Sequence, residues 1–231
     1  MEDEVSKHTK KIFETVKDSK QSFGEKAKEI IIEIFIIVFA VSLSIWLHGW
    51  NEHRQQQNEV REFLADLKED LTNDIISMQS AKDALSKNAE NISFLQQLTK
   101  DKIDSIIKAK ASFGFQSSIG TTKINSGNYE GFKSSGKIGF IENKDLKKNI
   151  LKYYQDATPS VLEVEKINAA EVLKISDFWA DKAEQDIRKI VLSPKLKAML
   201  SVFQNTVQSS LNLYQDAISL AKQIIKEIDK Q

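Results

Sequence analysis

The chain has 231 residues, with 33 Lys plus Arg against 33 Asp plus Glu, so its formal charge is zero and an affinity for phosphate backbones has no basic excess to rest on. The absence of Cys excludes disulfides, thiolate-ligated metals and thiol nucleophiles, and three His leave little for a histidine metal centre. Two Pro and eight Gly in a chain that is 29% charged and 41% hydrophobic predict a helix-dominated protein rather than a sandwich or barrel.

Residues 1–29 read as a cytoplasmic N-terminal segment. Val5, Ile12, Phe13, Val16 and Phe23 fall on one side of a Lys-rich helix, which either lies along the inner membrane surface or forms a loose tail. Residues 30–50 follow as a transmembrane helix: 21 residues with Glu33 as the sole ionisable group before His48, about 31 Å long at about 1.5 Å per residue. The 29 residues ahead of this run and the lack of a small-x-small cleavage site argue for a retained anchor over a cleaved signal. Six Lys in residues 10–29 against three basic residues in 51–70 place the N-terminus in the cytoplasm. Trp46 and Trp50 sit where an outer aromatic belt would lie, and Ala40 with Ser44 forms a small-xxx-small pair suited to helix association. Glu33 costs on the order of 3 kcal/mol at a bilayer centre, so it either contacts a partner helix or snorkels to cytoplasmic water.

Residues 51–231 are expected to form a periplasmic helical domain. Leu64, Leu71, Met78, Leu85 and Ile92 recur every seven residues, with Leu67, Ile75, Ala81, Ala89 and Leu95 on intermediate turns, predicting a helix over about 52–98. Gly49 is the one place for a bend between this helix and the span. Thr158-Pro159 and Ser193-Pro194 predict two further helix starts, each with a capping hydroxyl. The first helix carries Val161, Val164, Ile167, Ile175, Phe178, Ile187 and Ile190, and the second Leu200, Phe203, Val207, Tyr214, Ala221 and Ile228 at near coiled-coil spacing. The fold class is therefore all-α: a single N-terminal transmembrane helix continuing into an extended antiparallel helical bundle. Residues 113–140, with six of the eight glycines, form its irregular, Gly-rich, membrane-distal part, followed by a short helix near 144–156.

No chemistry-bearing motif stands out. Residues 131–138, GFKSSGKI, match seven positions of a phosphate-binding loop but place Ile138 where a magnesium-binding hydroxyl is needed, with no strand before them. His48 and His53, five apart, do not share a helical face as metal ligands at i and i+4 would. No catalytic, cofactor-binding or metal residue is assigned.

Several stretches carry a family resemblance: the acidic Glu33 early in the span, Trp50-Asn51-Glu52 beyond it, and Leu67-Lys68 with Asp70-Leu71. Ser134-Ser135-Gly136 and the paired Tyr153 and Tyr154 extend it. Across about residues 25–156 the chain resembles a group of single-span membrane proteins of Bacteroidota classed as a domain of unknown function. Ser42 and Ser44 depart from its more aliphatic span. The resemblance implies an inner-membrane address, a periplasmic domain and a structural role for the S-S-G turn, and it supplies no reaction or ligand. The expected function is a non-enzymatic, membrane-anchored scaffold or interaction module, an accessory subunit of an envelope complex. Its partners would be the lipid bilayer, another envelope protein or a second copy, and not nucleic acid. The alternative is a ligand-binding sensor domain signalling through a partner.

Overall fold

The computed structural model describes residues 6, 7, 10, 23–111, 113–115, 117–182 and 184–231. Of the expected N-terminal segment, residues 1–29, only Ser6, Lys7, Lys10 and 23–29 are described, and 23–29 already belong to α1. Helices account for all regular structure among the described residues, with no strand. They are α1 (Phe23–Gln96), α2 (Lys100–Lys108), α3 (Gly127–Ser134), α4 (Lys144–Lys152), α5 (Thr158–Ala180), α6 (Ile187–Val191) and α7 (Pro194–Ile228), with a 3-10 turn at Lys137–Phe140 and a π-helical turn at Tyr153–Ala157. Two compact units partition the chain, residues 1–59 and 60–231.

In the first unit α1 is helical straight through Gly49. Its apolar side chains face outward: Ile31, Phe35, Ile45 and Trp46 are each about two thirds exposed. Ile30, Ile37 and Ser44 are half-buried and Glu33 is buried.

The second unit is organised by helices whose buried positions alternate at spacings of four and three. On α1 these are Leu67, Leu71, Asp74, Met78, Ala81, Leu85, Asn88, Ile92 and Leu95. The heptad residues Leu64 to Ile92 are buried as the periodicity predicts, yet Ile75 and Ala89 are only half-buried. Asp74 and Asn88 occupy the adjacent inward positions instead, because polar groups from elsewhere in the chain meet them there.

On α7 the inward series is Leu196, Leu200, Phe203, Val207, Ser210, Tyr214, Ala217, Ala221 and Ile224. Along α5 it is Thr158, Val161, Asn168, Val172, Ile175 and Phe178. Ile167, expected inside, is 42% exposed, since Asn168 beside it turns inward to donate from Nδ2 to Ser210 Oγ at 2.9 Å. The helix also stops at Ala180 rather than carrying on to Ile190, which belongs to the separate α6.

Ser193-Pro194 is a helix start, whereas Thr158-Pro159 sits where the helical run from Lys144 passes through the π-helical turn into α5, and neither hydroxyl caps by its side chain. Thr158 has helical backbone angles and is buried, with its Oγ1 directed at the Tyr154 carbonyl at 3.5 Å. The π-helical turn, in which Thr158 N–H donates to Tyr153 O, joins α4 to α5 and gives Pro159 room where an α-helical carbonyl would clash.

The Gly-rich stretch is not confined to one end of the unit. The described residues between 111 and 126 form an extended strap without helix, and 127–140 are mostly helical. The strap starts beside Asn91 (Asn91 Nδ2 to Gly114 O, 3.5 Å) and ends beside Asp74, with Asn128 at the start of α3 reaching Asp70 (Nδ2 to Oδ2, 2.9 Å). It thus retraces about 26 Å of α1 at about 1.5 Å per helical residue. Past it, Phe132 stacks on Phe63 with ring centroids 4.0 Å apart, so the region placed farthest from the span by sequence packs against the α1 segment nearest to it in sequence.

Gly120 is where strap and helix come closest. A Cβ there would lie 2.9 Å from both Cα and O of Ala81, backbone atoms that cannot yield. Gly120→Ala should therefore lower stability by about 1–3 kcal/mol, read as a drop in thermal midpoint. Gly127→Ala, which meets open space, should leave the midpoint near that of the native chain.

Candidate functional site

The residues that sequence marked for membrane or partner contact all lie on one apolar turn-set of α1. Ala40, Trp46 and Trp50 are exposed and Ser44 is half-buried, while Glu33 is the one buried side chain among them. The Trp50 ring receives the Arg54 guanidinium at 5.9 Å. A run this apolar and this uncovered is suited to lipid, since water contact would cost about 25 cal/mol per Å² of apolar surface. It is the one helix among the described residues long and apolar enough to cross a membrane.

A second constellation, which sequence reasoning did not single out, lies where the strap meets the helices. Asp74 is fully buried, and its Oδ1 accepts from Asn125 N at 2.8 Å and Asn125 Nδ2 at 2.9 Å. Its Oδ2 accepts from Tyr153 Oη at 3.0 Å. Tyr154, turned into the same layer by the π-helical turn, donates to Asn125 O at 3.1 Å and stacks on Tyr129 with centroids 4.2 Å apart. Nearer the middle of the strap, Lys123 N donates to Ser77 Oγ at 2.8 Å.

Glu165 of α5 repeats the arrangement, accepting from Thr122 N at 2.9 Å, from the Thr122 hydroxyl and from Tyr214 Oη at 2.5 Å. Asn88 completes it with a reciprocal pair, accepting from Ser118 N at 3.0 Å and donating to Ser118 O at 2.8 Å. The strap, lacking a partner strand, thus satisfies its backbone through side chains of α1 and α5. The signal available in the sequence was the polar residue interrupting each four-three series: Asp74, Asn88, Asn168.

Burial raises the Asp74 carboxyl above its usual range, outweighing the hydrogen bonds from Asn125 and Tyr153 that pull it down, and the Asp70 charge adds to the rise. Tyr153 and Tyr154 are raised well beyond the ordinary phenol value, first by burial and then by the Asp74 charge. Tyr214 is raised by burial and by its bond to Glu165. Phenols so held stay protonated at physiological pH. They donate hydrogen bonds to Asp74, to the Asn125 carbonyl and to Glu165.

The remaining sequence candidates do not converge. Residues 131–134 belong to α3, and Gly136, at φ +76°, ends that helix as its N–H donates to Lys133 O at 3.0 Å. That end presents carbonyls, the wrong polarity for a phosphate. His48 and His53 are both exposed on α1. No group of three or more His, Asp or Glu able to hold a metal occurs among the described residues.

The sequences of a family of unknown function, DUF6090, match residues 33–162, more than half of the chain and the stretch running from Glu33 to the start of α5. The chain belongs to the DUF6090 family. In this DUF6090 chain the matched region takes in the apolar helix, the strap, its anchors Asp74 and Asn88, and the paired tyrosines. A curated relative, uroporphyrinogen decarboxylase of Rickettsia bellii, is 27% identical over 131 residues, 50% of this chain and 38% of that protein. The chain therefore spans well under half the length of the relative it matches. No solved structure matches.

Two outcomes follow from the Asp74 geometry. Because folding raises its pKa, the folded chain holds that proton more tightly than the unfolded chain, so ionisation weighs against folding and the burden lifts as pH falls. The stability of Asp74→Asn minus that of the native chain should therefore be greatest near about pH 8 and shrink toward about pH 4, as measured by denaturant unfolding; a difference independent of pH would contradict this. Tyr153→Phe, which strips Asp74 Oδ2 of its donor, should destabilise by about 1–3 kcal/mol at neutral pH in the same assay.

Proposed function

We propose that the chain is a single-span, membrane-anchored helical interaction module of the bacterial inner membrane, an accessory subunit within an envelope protein complex. The observation that carries this reading is the outward-facing apolar surface of α1 between Ile31 and Trp50, which needs a lipid or protein cover. The excess of Lys in residues 10–29 over basic residues in 51–70 supports a cytoplasmic N-terminus and a periplasmic residue 60–231 unit. The motifs around Glu33, Trp50 and Leu67 support membership of a single-span Bacteroidota group.

The paired contacts support an antiparallel bundle for the outer unit. Between α1 and α7, Lys68 bonds Asp229 at the C-cap of α7 and Lys82 bonds Gln215, while between α5 and α7, Glu165 bonds Tyr214 and Asn168 bonds Ser210. In each case the second partner falls as the first rises. A non-catalytic role is supported by how the inward polar groups are used: Asp74, Glu165 and Asn88 hold the strap, and the tyrosines beside them stay protonated.

The absence of Cys makes the topology directly measurable. Gln231→Cys should react with a membrane-impermeant maleimide in intact spheroplasts, and Lys28→Cys only after lysis. The reverse pattern would overturn the periplasmic assignment. Mild-detergent purification of the full chain from native membranes should recover a stoichiometric envelope protein or a second copy, and a lone monomer would refute the interaction role.

A further inference from the structure

Between α1, α5, α7 and the strap lies a cavity of about 10 Å³, room for one water-sized molecule. Its polar lining comes from Asn88, Ser118, Glu165, Asn168 and Tyr214, and Gly120 forms part of its wall. No Lys, Arg or His lines it, so the wall is rich in lone pairs and poor in donors.

The donors on the α5 and α7 side of the cavity are engaged elsewhere. Tyr214 Oη and the Thr122 hydroxyl both donate to Glu165 Oε1, and Asn168 Nδ2 donates to Ser210 Oγ, which in turn donates to Thr206 O at 2.7 Å. Glu165 Oε2 accepts from Thr122 N at 3.1 Å. Asn168 is 7% exposed, and no donor among the described residues reaches its Oδ1. Asn168 and Glu165 stand three residues apart on α5, a spacing that puts both side chains over one face.

From this geometry we infer that the cavity is a binding site for a single water-sized hydrogen-bond donor, water or an ammonium ion, which bridges Asn168 Oδ1 to the Glu165 carboxylate. Either guest brings several donors to a wall rich in acceptors, and either fits a volume of about 10 Å³. The guest shares Glu165 with Thr122, so it ties closure of the strap to the packing of α5 on α7. Loss of the guest leaves Asn168 Oδ1 without a partner and weakens the hold on the strap at the same time.

The test uses the full chain in lipid nanodiscs. Water-selected exchange and cross-relaxation spectra in ammonium-free buffer should show contact between a long-lived water and the Asn168 side-chain amide. A parallel titration with ¹⁵N-ammonium should either leave that contact unchanged, identifying water, or replace it with a bound ammonium resonance that saturates. Either result supports the site, and the two arms say which donor fills it. No guest signal in either arm would overturn it. Val172 also lines the cavity, and Val172→Ile adds one methylene to it. That variant should lose the guest signal and speed hydrogen exchange of the Thr122 amide about tenfold with helicity unchanged; an unaltered guest signal or exchange rate would also overturn the proposal.

Discussion

Everything in this chain turns on where apolar surface is allowed to meet water. On α1 the same residue types live under two regimes. From Leu64 to Leu95 they recur on one stripe and are buried, whereas from Ile31 to Trp50 they point in almost every direction and are exposed. A helix that is apolar all round cannot be covered by neighbours along one face alone. The first regime builds a core within the residue 60–231 unit, and the second calls for a surrounding apolar phase.

Within the residue 60–231 unit, the helices alone do not close the core. The strap runs across the polar positions of α1 and α5, and each position meets a backbone or hydroxyl group of the strap. Its backbone has no strand to pair with, so side-chain carboxylates and amides take that role. The cost is a set of buried polar atoms that must remain satisfied together, since losing one partner strands the other. The reward is a fixed register: Gly120 against Ala81 and Asn125 against Asp74 permit one placement of the strap.

Much of the helical architecture was legible in the sequence, and the reasons it failed in places are local. The heptad from Leu64 to Ile92 and the Pro-marked starts of α5 and α7 located three long helices. Hydrophobicity then favoured Ile75, Ala89 and Ile167 over Asp74, Asn88 and Asn168 as inward residues. At four-three spacing neighbouring positions compete for each turn, and apolar character decides only when nothing polar waits opposite. Opposite Asp74 and Asn88 waits the strap, whose extended path is hidden by glycines that read equally well as a distal loop, and opposite Asn168 waits Ser210 of α7. The π-helical turn was likewise invisible, because Thr-Pro marks a capped start as readily as a Pro accommodated by a widened turn. The strap anchors had one signal, a polar residue recurring on an apolar stripe, and that signal is ambiguous without knowing the partner.

The central claim, that residues 30–50 reside in a lipid bilayer, is tested most directly by alkaline carbonate extraction of membranes from cells making the full chain at native level. The account predicts that the protein stays in the membrane pellet through carbonate and leaves it only with detergent. Recovery of the intact chain as a soluble, monodisperse species after carbonate, or in the supernatant of simple lysis, would contradict it.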